Sequence, residues 1–290
     1  MLFASYREQK YLGLIEMKKQ LLILSLPLCA VSTAYAAGAA NADILAANNQ
    51  IGLQITSTDV RYSEYGGTYG TAQGLMDTER GTVPGYTLSA SLMKDVLLGN
   101  DYFKAQYSHN EGSTNYVGSY IGGGLPYGSV TASSTAKIDD YSLTYGKGFN
   151  LGSQAMVTPY LQYGYHEWKR GLADGNQETY SNNYYGAGAK VQYAPIEKLV
   201  LGANYFSGRT MQSKISTNQS VFPGESLGNS AQTSYGFSVD YAISKDFHAN
   251  LGYEHTQFKY GASPLYGTGF FEPNSTTKQN TVSLGFGYAF

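Results

Sequence analysis

The chain has 290 residues, with 28 Tyr, 35 Gly, one Cys, 14 % charged residues and a formal net charge of -2. The mean hydropathy of -0.29 does not exclude a membrane protein, because membrane-crossing strands alternate in polarity and average to near neutral. The single cysteine excludes a disulfide framework, and no basic patch argues for nucleic acid as a partner.

Residues 17–36 have the three parts of a secretory signal peptide. Lys18 and Lys19 form a basic start, residues 21–31 form a short apolar run, and Ala36 ends an A-x-A cleavage site. We therefore predict export from the cytoplasm and cleavage after Ala36.

The segments on either side of this signal carry little pattern. Residues 1–16 have no periodicity and are predicted to be an upstream extension, and residues 37–50 are predicted to be a small-residue periplasmic leader. An uncleaved membrane anchor is disfavoured by Pro27 within the apolar run. A lipoprotein would use Cys29, but Leu28 before it is too bulky. Cys29 is therefore expected to leave with the signal peptide.

Ten segments of the remaining chain alternate large apolar residues with small or polar ones, as a strand with two unlike faces does. In chain order, their apolar faces are Ile51, Leu53 and Ile55; Tyr86, Leu88 and Leu92; Phe103 and Tyr107; Tyr141, Leu143 and Tyr145; Val157, Leu161 and Tyr163; Tyr185, Val191 and Tyr193; Leu199, Leu201 and Tyr205; Tyr235, Phe237 and Val239; Phe247, Leu251 and Tyr253; Val282, Leu284 and Phe286. Each segment has about 10 residues, the length that a tilted strand needs to cross a bilayer.

The connections between these segments alternate between long and short. Long, Gly-rich loops are predicted over residues 63–84, 111–136, 169–181, 210–230 and 259–277. Short turns join the other ends. A soluble sandwich, in which the apolar faces would form the core, has no reason to sort its loops in this way, whereas a bacterial membrane barrel has short periplasmic turns and long extracellular loops.

The last ten residues, TVSLGFGYAF, form the clearest alternating strand and end on an aromatic residue. This strand resembles the end of a single-chain outer-membrane β-barrel of Gram-negative bacteria. The resemblance implies that Phe286, Tyr288 and Phe290 belong to the signal read by the barrel-insertion machinery. We therefore predict an all-β, antiparallel transmembrane β-barrel of about ten strands over residues 51–290. It is expected to be a monomer in the outer membrane, among lipid and lipopolysaccharide, with its loops at the cell surface.

If the polar faces line the lumen, several charged side chains point inward. They are Lys104, Asp140, Lys190, Asp240 and Glu254, with His166 and His248 nearby. Unpaired charges in a narrow interior are costly, so we expect cross-lumen salt bridges and hydrogen bonds. Because ten strands lie close to the size at which side chains fill a barrel, a plugged or very narrow lumen is favoured over a solute channel.

The candidate catalytic residues do not form a convincing site. Omptin surface proteases resemble this chain in architecture and use paired aspartates and an aspartate–histidine pair at the extracellular rim. Asp139 with Asp140, and Asp246 with His248, match those residue types, but they are predicted to lie at opposite ends of the membrane.

Other chemistry is equally poorly supported by the sequence. Ser108 and His109 are neighbours in a strand and therefore face opposite sides. The four histidines of the chain show no metal-ligand spacing. The sequence thus predicts neither an enzyme nor a cofactor.

The predicted loops are rich in Gly and in aromatic residues. The aromatic residues are Tyr65, Tyr69, Tyr116, Tyr120, Tyr127, Phe222, Tyr266, Phe270 and Phe271. Tyr among Gly and Ser is a composition found in binding loops, although Tyr near strand ends also continues a membrane girdle. We therefore predict a structural or adhesin-like surface-interaction role, with a host or surface ligand that the sequence does not identify. A narrow, porin-like channel is the alternative, and an envelope hydrolase is less favoured.

Overall fold

The computed structural model describes residues 42–69, 71, 73–119, 126–172, 175–267 and 269–290. The predicted upstream extension, the signal peptide, residues 37–41 of the leader and Tyr120 lie outside the described residues. Within the described part of the chain, no helix has the length and apolar character needed to span a membrane.

The described chain consists of one short helix followed by antiparallel strands. The elements are α1 (Ala42–Asn48), β1 (Gln50–Tyr65), β2 (Leu75–Lys94), β3 (Asp101–Gly118), β4 (Val130–Lys147), β5 (Phe149–Leu151), β6 (Ala155–Gly171), β7 (Gln177–Ile196), β8 (Leu199–Gln219), β9 (Phe222–Ser226), β10 (Ala231–Ala242), β11 (Phe247–Tyr260) and β12 (Asn274–Ala289).

The strands close into a barrel because the first pairs with the last. The β1–β12 ladder runs from Gln50 opposite Ala289 to Tyr65 opposite Asn274. Around the wall the order is β1, β2, β3, β4, β6, β7, β8, β10, β11 and β12, while the short β5 and β9 pair only with β6 and β8. The predicted antiparallel barrel of ten strands is therefore confirmed.

The ten strands of the wall are longer than the sequence pattern indicated, at 12 to 21 residues. For example, β2 begins at Leu75, inside the segment 63–84 that was predicted to be a loop. The alternation of side chains continues there, but the apolar residues change face. On β1, Ile55 faces outward, whereas Val60 and Tyr62 further along the same strand point inward and are fully buried.

The predicted sorting of connections by length holds for most of the barrel, although the connection at 172–176 is no longer than the one at 95–100 at the opposite end. Residues 66–74 and 261–273 join strands at one end of the barrel, and the two-residue turn at 197–198 and the turn at 243–246 join them at the other end. The long connections are shorter than the predicted loops because the ends of the flanking strands occupy part of each predicted loop.

Aromatic side chains form two rings on the outside of the barrel. The lower ring contains Phe103, Tyr145, Tyr193, Tyr241, Phe247 and Tyr288; the upper ring contains Tyr86, Tyr107, Tyr141, Tyr163, Tyr185, Tyr205, Tyr235 and Tyr253. Between the rings the outward residues are apolar and exposed, such as Leu143 at 63 % and Leu284 at 55 %. This arrangement is that of lipid-facing strands flanked by aromatic girdles. We call the part of the barrel between the rings the membrane half, and the part beyond the upper ring the outer half.

Candidate functional site: a lumen closed at both ends, and its rim

The lower end of the lumen is filled by α1. Ile44 is fully buried among Met93, Tyr102, Met156 and Val200, which point inward from four strands. The helix therefore has an apolar partner surface inside the barrel, and residues 42–48 of the predicted leader form a plug.

Hydrogen bonds fix the end of this helix to the barrel wall. The amide of Asn48 donates to Gln192 Oε1 at 2.8 Å, and Lys190 Nζ donates to Asn48 Oδ1 at 2.8 Å. Asn49 Oδ1 accepts a bond from the backbone of Met93, and its carbonyl accepts one from Phe290 N. Sequence reasoning missed the plug, although the run ADILAAN has an acidic residue in its first turn and good helix formers throughout.

Above the plug, the membrane half encloses a polar chamber of about 300 Å³. Two glycines widen the interior locally. A Cβ at Gly164 would lie 2.3 Å from the ring of Tyr184, and one at Gly188 would lie 2.4 Å from the ring of Tyr160. These positions therefore let the two tyrosines lie flat against the wall.

Four of the predicted lumen residues form two pairs. Asp140 Oδ1 lies 2.7 Å from His166 Nδ1, and Asp240 Oδ1 lies 2.6 Å from His248 Nδ1. Gln50 Nε2 also donates to Asp240 Oδ2 at 2.8 Å. Both aspartate–histidine pairs join neighbouring strands of the wall.

The other three predicted lumen residues are arranged differently. Lys190 bonds the plug, as described above, and lies 4.9 Å from the ring centre of Tyr102. Lys104 and Glu254 line the chamber, and among the described residues neither forms an ion pair within 4.0 Å. The chamber is therefore polar and charged without a cross-lumen salt bridge between these two groups.

The upper end of the lumen is closed by an aromatic core in the outer half. Trp168 packs edge-on against Tyr62, with 5.2 Å between ring centres, and stacks on Tyr180 at 5.8 Å. Tyr180 in turn stacks on Tyr260 at 5.7 Å. All four rings are at most 1 % exposed, so the outer half is packed as a protein core is.

A buried arginine lies at the centre of this core. Arg170 is 3 % exposed and donates to Glu178 at 2.6 Å, to Glu79 at 2.9 Å and to Glu64 at 3.4 Å. Its guanidinium carbon lies 5.0 Å from the ring centre of Tyr62. Burial lowers the pKa of Arg170, but Glu178 and the neighbouring groups more than offset it, so the pKa stays well above its ordinary value.

The core holds more carboxyl groups than this one cation can neutralise. Asp77 Oδ2 lies 4.0 Å from Arg170, and Asp77 Oδ1 is buried without a hydrogen-bond partner. Glu272 accepts a bond from Tyr180 at 2.6 Å. Burial, with the nearby charge of Glu64, raises the pKa of both Asp77 and Glu272 well above the ordinary carboxyl range. These two carboxyl groups therefore keep their protons to a higher pH than exposed carboxyl groups do.

Sequence reasoning missed this cluster because its members fell in the predicted loops. They are Glu64, Asp77, Glu79, Arg170, Glu178 and Glu272, all of which the structure places on strands or beside them. One feature of the sequence could have indicated this cluster. Asp77 and Glu79 are two residues apart, which puts both side chains on one face of a strand.

The candidate catalytic residues are separated by the barrel wall. Asp139 faces outward, where its Oδ1 lies 2.8 Å from His109 Nδ1, whereas Asp140 faces the lumen. Ser108 also lines the lumen, and Asp246 lies in the short turn between β10 and β11. In the described chain, no group of three or more His, Cys, Asp or Glu could hold a metal ion.

Six of the described aromatic residues of the predicted loops fall into two groups. Phe222 is 8 % exposed, and Tyr266 packs against the core beside it. In contrast, the rim of the outer half exposes aromatic rings. Tyr65, Tyr69, Tyr127 and Phe270 are 42 to 54 % exposed. We call these four residues the rim aromatics.

The predicted insertion signal lies on the lipid-facing side of β12 and at the chain end. Phe286, Tyr288 and Phe290 are 65 %, 48 % and 64 % exposed. Their position agrees with the apolar belt, and their role in insertion stays a prediction.

A closed antiparallel ten-stranded barrel with an apolar belt, two aromatic rings and a polar lumen has the fold of outer-membrane β-barrels. No protein-family model and no curated protein sequence matches the chain. The outer-membrane protease OmpT of Escherichia coli is similar in structure, with a TM-score of 0.52 and 10 % identity over 84 % of this chain and 97 % of that one. At this identity the likeness shows the fold alone.

Two further structures are similar at lower scores. The attachment invasion locus protein Ail of Yersinia pestis has a TM-score of 0.31 and 12 % identity over 84 % of this chain and 99 % of that one. The toluene transporter TodX of Pseudomonas putida has a TM-score of 0.32 and 12 % identity over 86 % and 92 %. Neither score informs the role of this chain.

Proposed function

We propose that this barrel is a non-conducting outer-membrane protein that acts by surface interaction through its rim. The observation that supports this proposal is the closure of the lumen at two levels. Ile44 of α1 fills the lower end, and Trp168 with its neighbours fills the outer half. A barrel whose lumen is packed at two levels is a rigid scaffold, and binding residues are disproportionately located on loops that a rigid scaffold positions.

The rim aromatics provide the contact surface in this proposal. Tyrosine and phenylalanine give large contact areas at low cost in side-chain entropy, and the surrounding Gly and Ser adapt to a partner. The packed outer half holds this rim beyond the upper tyrosine ring, away from the bilayer. The proposed location of the rim is the cell surface.

Conductance tests the closed lumen. Refolded protein in a planar bilayer is expected to show no unitary current steps. A narrow channel is the second candidate, because the polar chamber of about 300 Å³ lies in the membrane half. Stable, ion-selective steps from the wild-type chain would favour that channel and contradict our proposal.

Adhesion tests the rim. Cells that display the barrel are compared with cells that display a variant in which Tyr65, Tyr69, Tyr127 and Phe270 are replaced by Ser. The matched control replaces the outward residues Ser113, Ser133 and Ser216 by Ala. Attachment to immobilised host-cell surface material should fall only in the rim variant. Equal attachment by all three displayed proteins would remove the rim from the proposal.

A further inference from the structure

Three basic side chains form a row on the outside of the outer half. Lys278 on β12 lies directly opposite Arg61 on β1, and Arg61 lies directly opposite Arg80 on β2. All three are exposed. Because neighbouring strands are about 4.8 Å apart, the row extends over roughly 10 Å of the surface. We call these residues the basic row.

The charge of the basic row is only partly neutralised by the protein. Like charges directly opposite each other destabilise a pair of strands. Asp59 accepts a bond from Arg61 Nε at 2.8 Å. Arg80 and Lys278 have no ion pair with any residue that the structure describes. The row thus presents more positive charge than its own surroundings neutralise.

A second basic pair on the barrel has more acidic residues beside it than the basic row has. Lys137 on β4 lies opposite Lys169 on β6. There, Lys169 Nζ lies 2.7 Å from Glu167 Oε1, and Glu111 is directly opposite Lys137. Lys169 therefore has an ion pair, and Lys137 has a glutamate directly opposite it, although no ion pair within 4.0 Å joins Lys137 to a described residue.

The distance of the basic row from the apolar belt limits which anionic lipid head groups can contact it. Arg61 is six residues beyond Ile55, the last large apolar outward residue on β1 before the charged segment. At about 3.3 Å per residue and a strand tilt of about 40°, the row lies roughly 15 Å beyond the apolar belt. A phospholipid head group layer is only about 5–8 Å thick. A phosphate on a taller sugar head group reaches this height.

We propose that Lys278, Arg61 and Arg80 bind the phosphorylated sugar head of an outer-leaflet glycolipid, namely lipopolysaccharide. Arginine matches the geometry of phosphate with paired N–H donors, and lysine adds a third charge. The proposal rests on the outer-membrane orientation of the barrel. It is independent of what the rim aromatics bind and of whether the lumen conducts.

The test measures binding of the full refolded chain in detergent to phosphorylated lipopolysaccharide. The variant R61Q/R80Q/K278Q removes the basic row. The control K137Q/K169Q/K214Q removes the same number of exposed outer-half charges elsewhere. We expect at least a roughly tenfold loss of affinity in the row variant and a change within about threefold in the control, because each basic group near an anionic surface adds to binding. The single variant R80Q is expected to lie between wild type and the row variant.

Three ligand comparisons identify the source of the phosphate. Wild-type affinity is expected to fall about tenfold when the lipopolysaccharide is enzymatically dephosphorylated, since the phosphates carry the charge that the row meets. Vesicles of phosphatidylglycerol and inorganic phosphate are expected to bind weakly and without dependence on the row.

Several results would overturn the proposal. One is wild-type affinity in the row variant, and another is an equal loss in the control, which would indicate a general charge effect. Row-dependent binding of phosphatidylglycerol or of a soluble sulfated polysaccharide, without row-dependent binding of lipopolysaccharide, would assign the row to another partner. Heat-modifiable gel mobility checks that each variant is folded, and R80Q alone decides the question if the triple variant does not fold.

Discussion

The membrane half and the outer half of this barrel are built from the same strands with opposite polarity. In the membrane half, Leu53 faces outward and Gln54 faces the lumen; in the outer half, Arg61 faces outward and Tyr62 faces the lumen. The backbone ladder runs without interruption through both halves on β1 and β12. The medium outside the wall therefore decides which residues face inward.

The two interiors differ in the same way. The membrane half contains a polar chamber bordered by Lys104 and Glu254, whereas the outer half contains stacked aromatic rings around Arg170. In lipid, outward apolar side chains need no burial, so the lumen can be polar. In water, the barrel gains stability by burying apolar area, so its interior becomes an ordinary core. The outer half thus resembles a soluble domain that is continuous with a membrane protein.

Replacement of Arg170 by Met is expected to have the largest effect and to act on the outer half. Removal of one partner from a buried ion cluster leaves uncompensated charge, here on Glu79 and Glu178, and costs about 3–5 kcal/mol. Urea unfolding of the refolded barrel measures this loss. Hydrogen exchange should show that amides of the outer half lose protection first.

The matched control for this change is Arg80→Met, which removes an exposed arginine from the same half. Its effect should stay within about 0.5 kcal/mol. If R170M and R80M unfolded at the same urea concentration, the buried cluster would have no special role in the outer half.

The next largest difference in stability is expected between two variants that each introduce an arginine on the outward face, one in the membrane half and one in the outer half. Leu251 faces outward between the two aromatic rings, and Leu251→Arg should cost about 2–4 kcal/mol because it places a charge in hydrocarbon. Ser133 faces outward on β4 in the outer half, and Ser133→Arg should change stability by less than about 0.5 kcal/mol.

Asn250→Ser on the neighbouring lumen face completes this series and should also be mild. Folding in vesicles and urea midpoints measure all three variants. A cost for S133R as large as that for L251R would mean that the two halves face the same medium.

Asp77 should contribute to the way in which the stability of the outer half changes with pH. Its pKa is raised in the folded state by burial and by the nearby Glu64 charge, so the folded chain keeps a proton that the unfolded chain releases above about pH 4. Stability from this group is complete at lower pH and falls as pH rises toward the folded pKa, by up to about 1.4 kcal/mol per pH unit. Urea midpoints between pH 4 and pH 8 should fall less steeply in Asp77→Asn.

The control for the pH series is Asp59→Asn, on the exposed outer face. Asp59 bonds Arg61 at the surface, so its replacement should leave the slope unchanged. A D77N slope equal to that of the wild type would contradict a raised pKa for the buried Asp77.

The sequence predicted the membrane half well because a single rule governs it. Alternation with a period of two and the terminal strand around Phe286 placed all ten strands and both faces. The outer half was missed because the apolar residues change face between Ile55 and Val60, which reads as a loss of pattern. Residues such as Asp77 and Trp168 gain their meaning only when strands that are distant in sequence meet in the lumen.

The sites inside and on the barrel also divide into features that the sequence pattern indicated and features that it did not. The inward-facing pattern included the four aspartate and histidine residues of the two lumen pairs, but it did not predict that they pair between adjacent strands. The plug and the Arg170 cluster depend on contacts between residues far apart in sequence, such as Asn48 with Gln192 at 144 positions and Arg170 with Glu79 at 91, which no local pattern contains. The basic row needed the register of three strands, since Lys278 and Arg61 are neighbours only because the barrel closes.

The most direct test of this account is a depth scan along β1. Single spin-labelled cysteines are placed at residues 51 to 62 of a chain without Cys29, and collision with oxygen and with a water-soluble nickel chelate is measured in vesicles. We predict oxygen-dominated labels at Ile51, Leu53 and Ile55, nickel-dominated labels at Asp59 and Arg61, and labels shielded from both at Val60 and Tyr62. Oxygen-dominated labels at 59 and 61, or nickel access at 60 and 62, would contradict a barrel whose polarity reverses at the upper tyrosine ring.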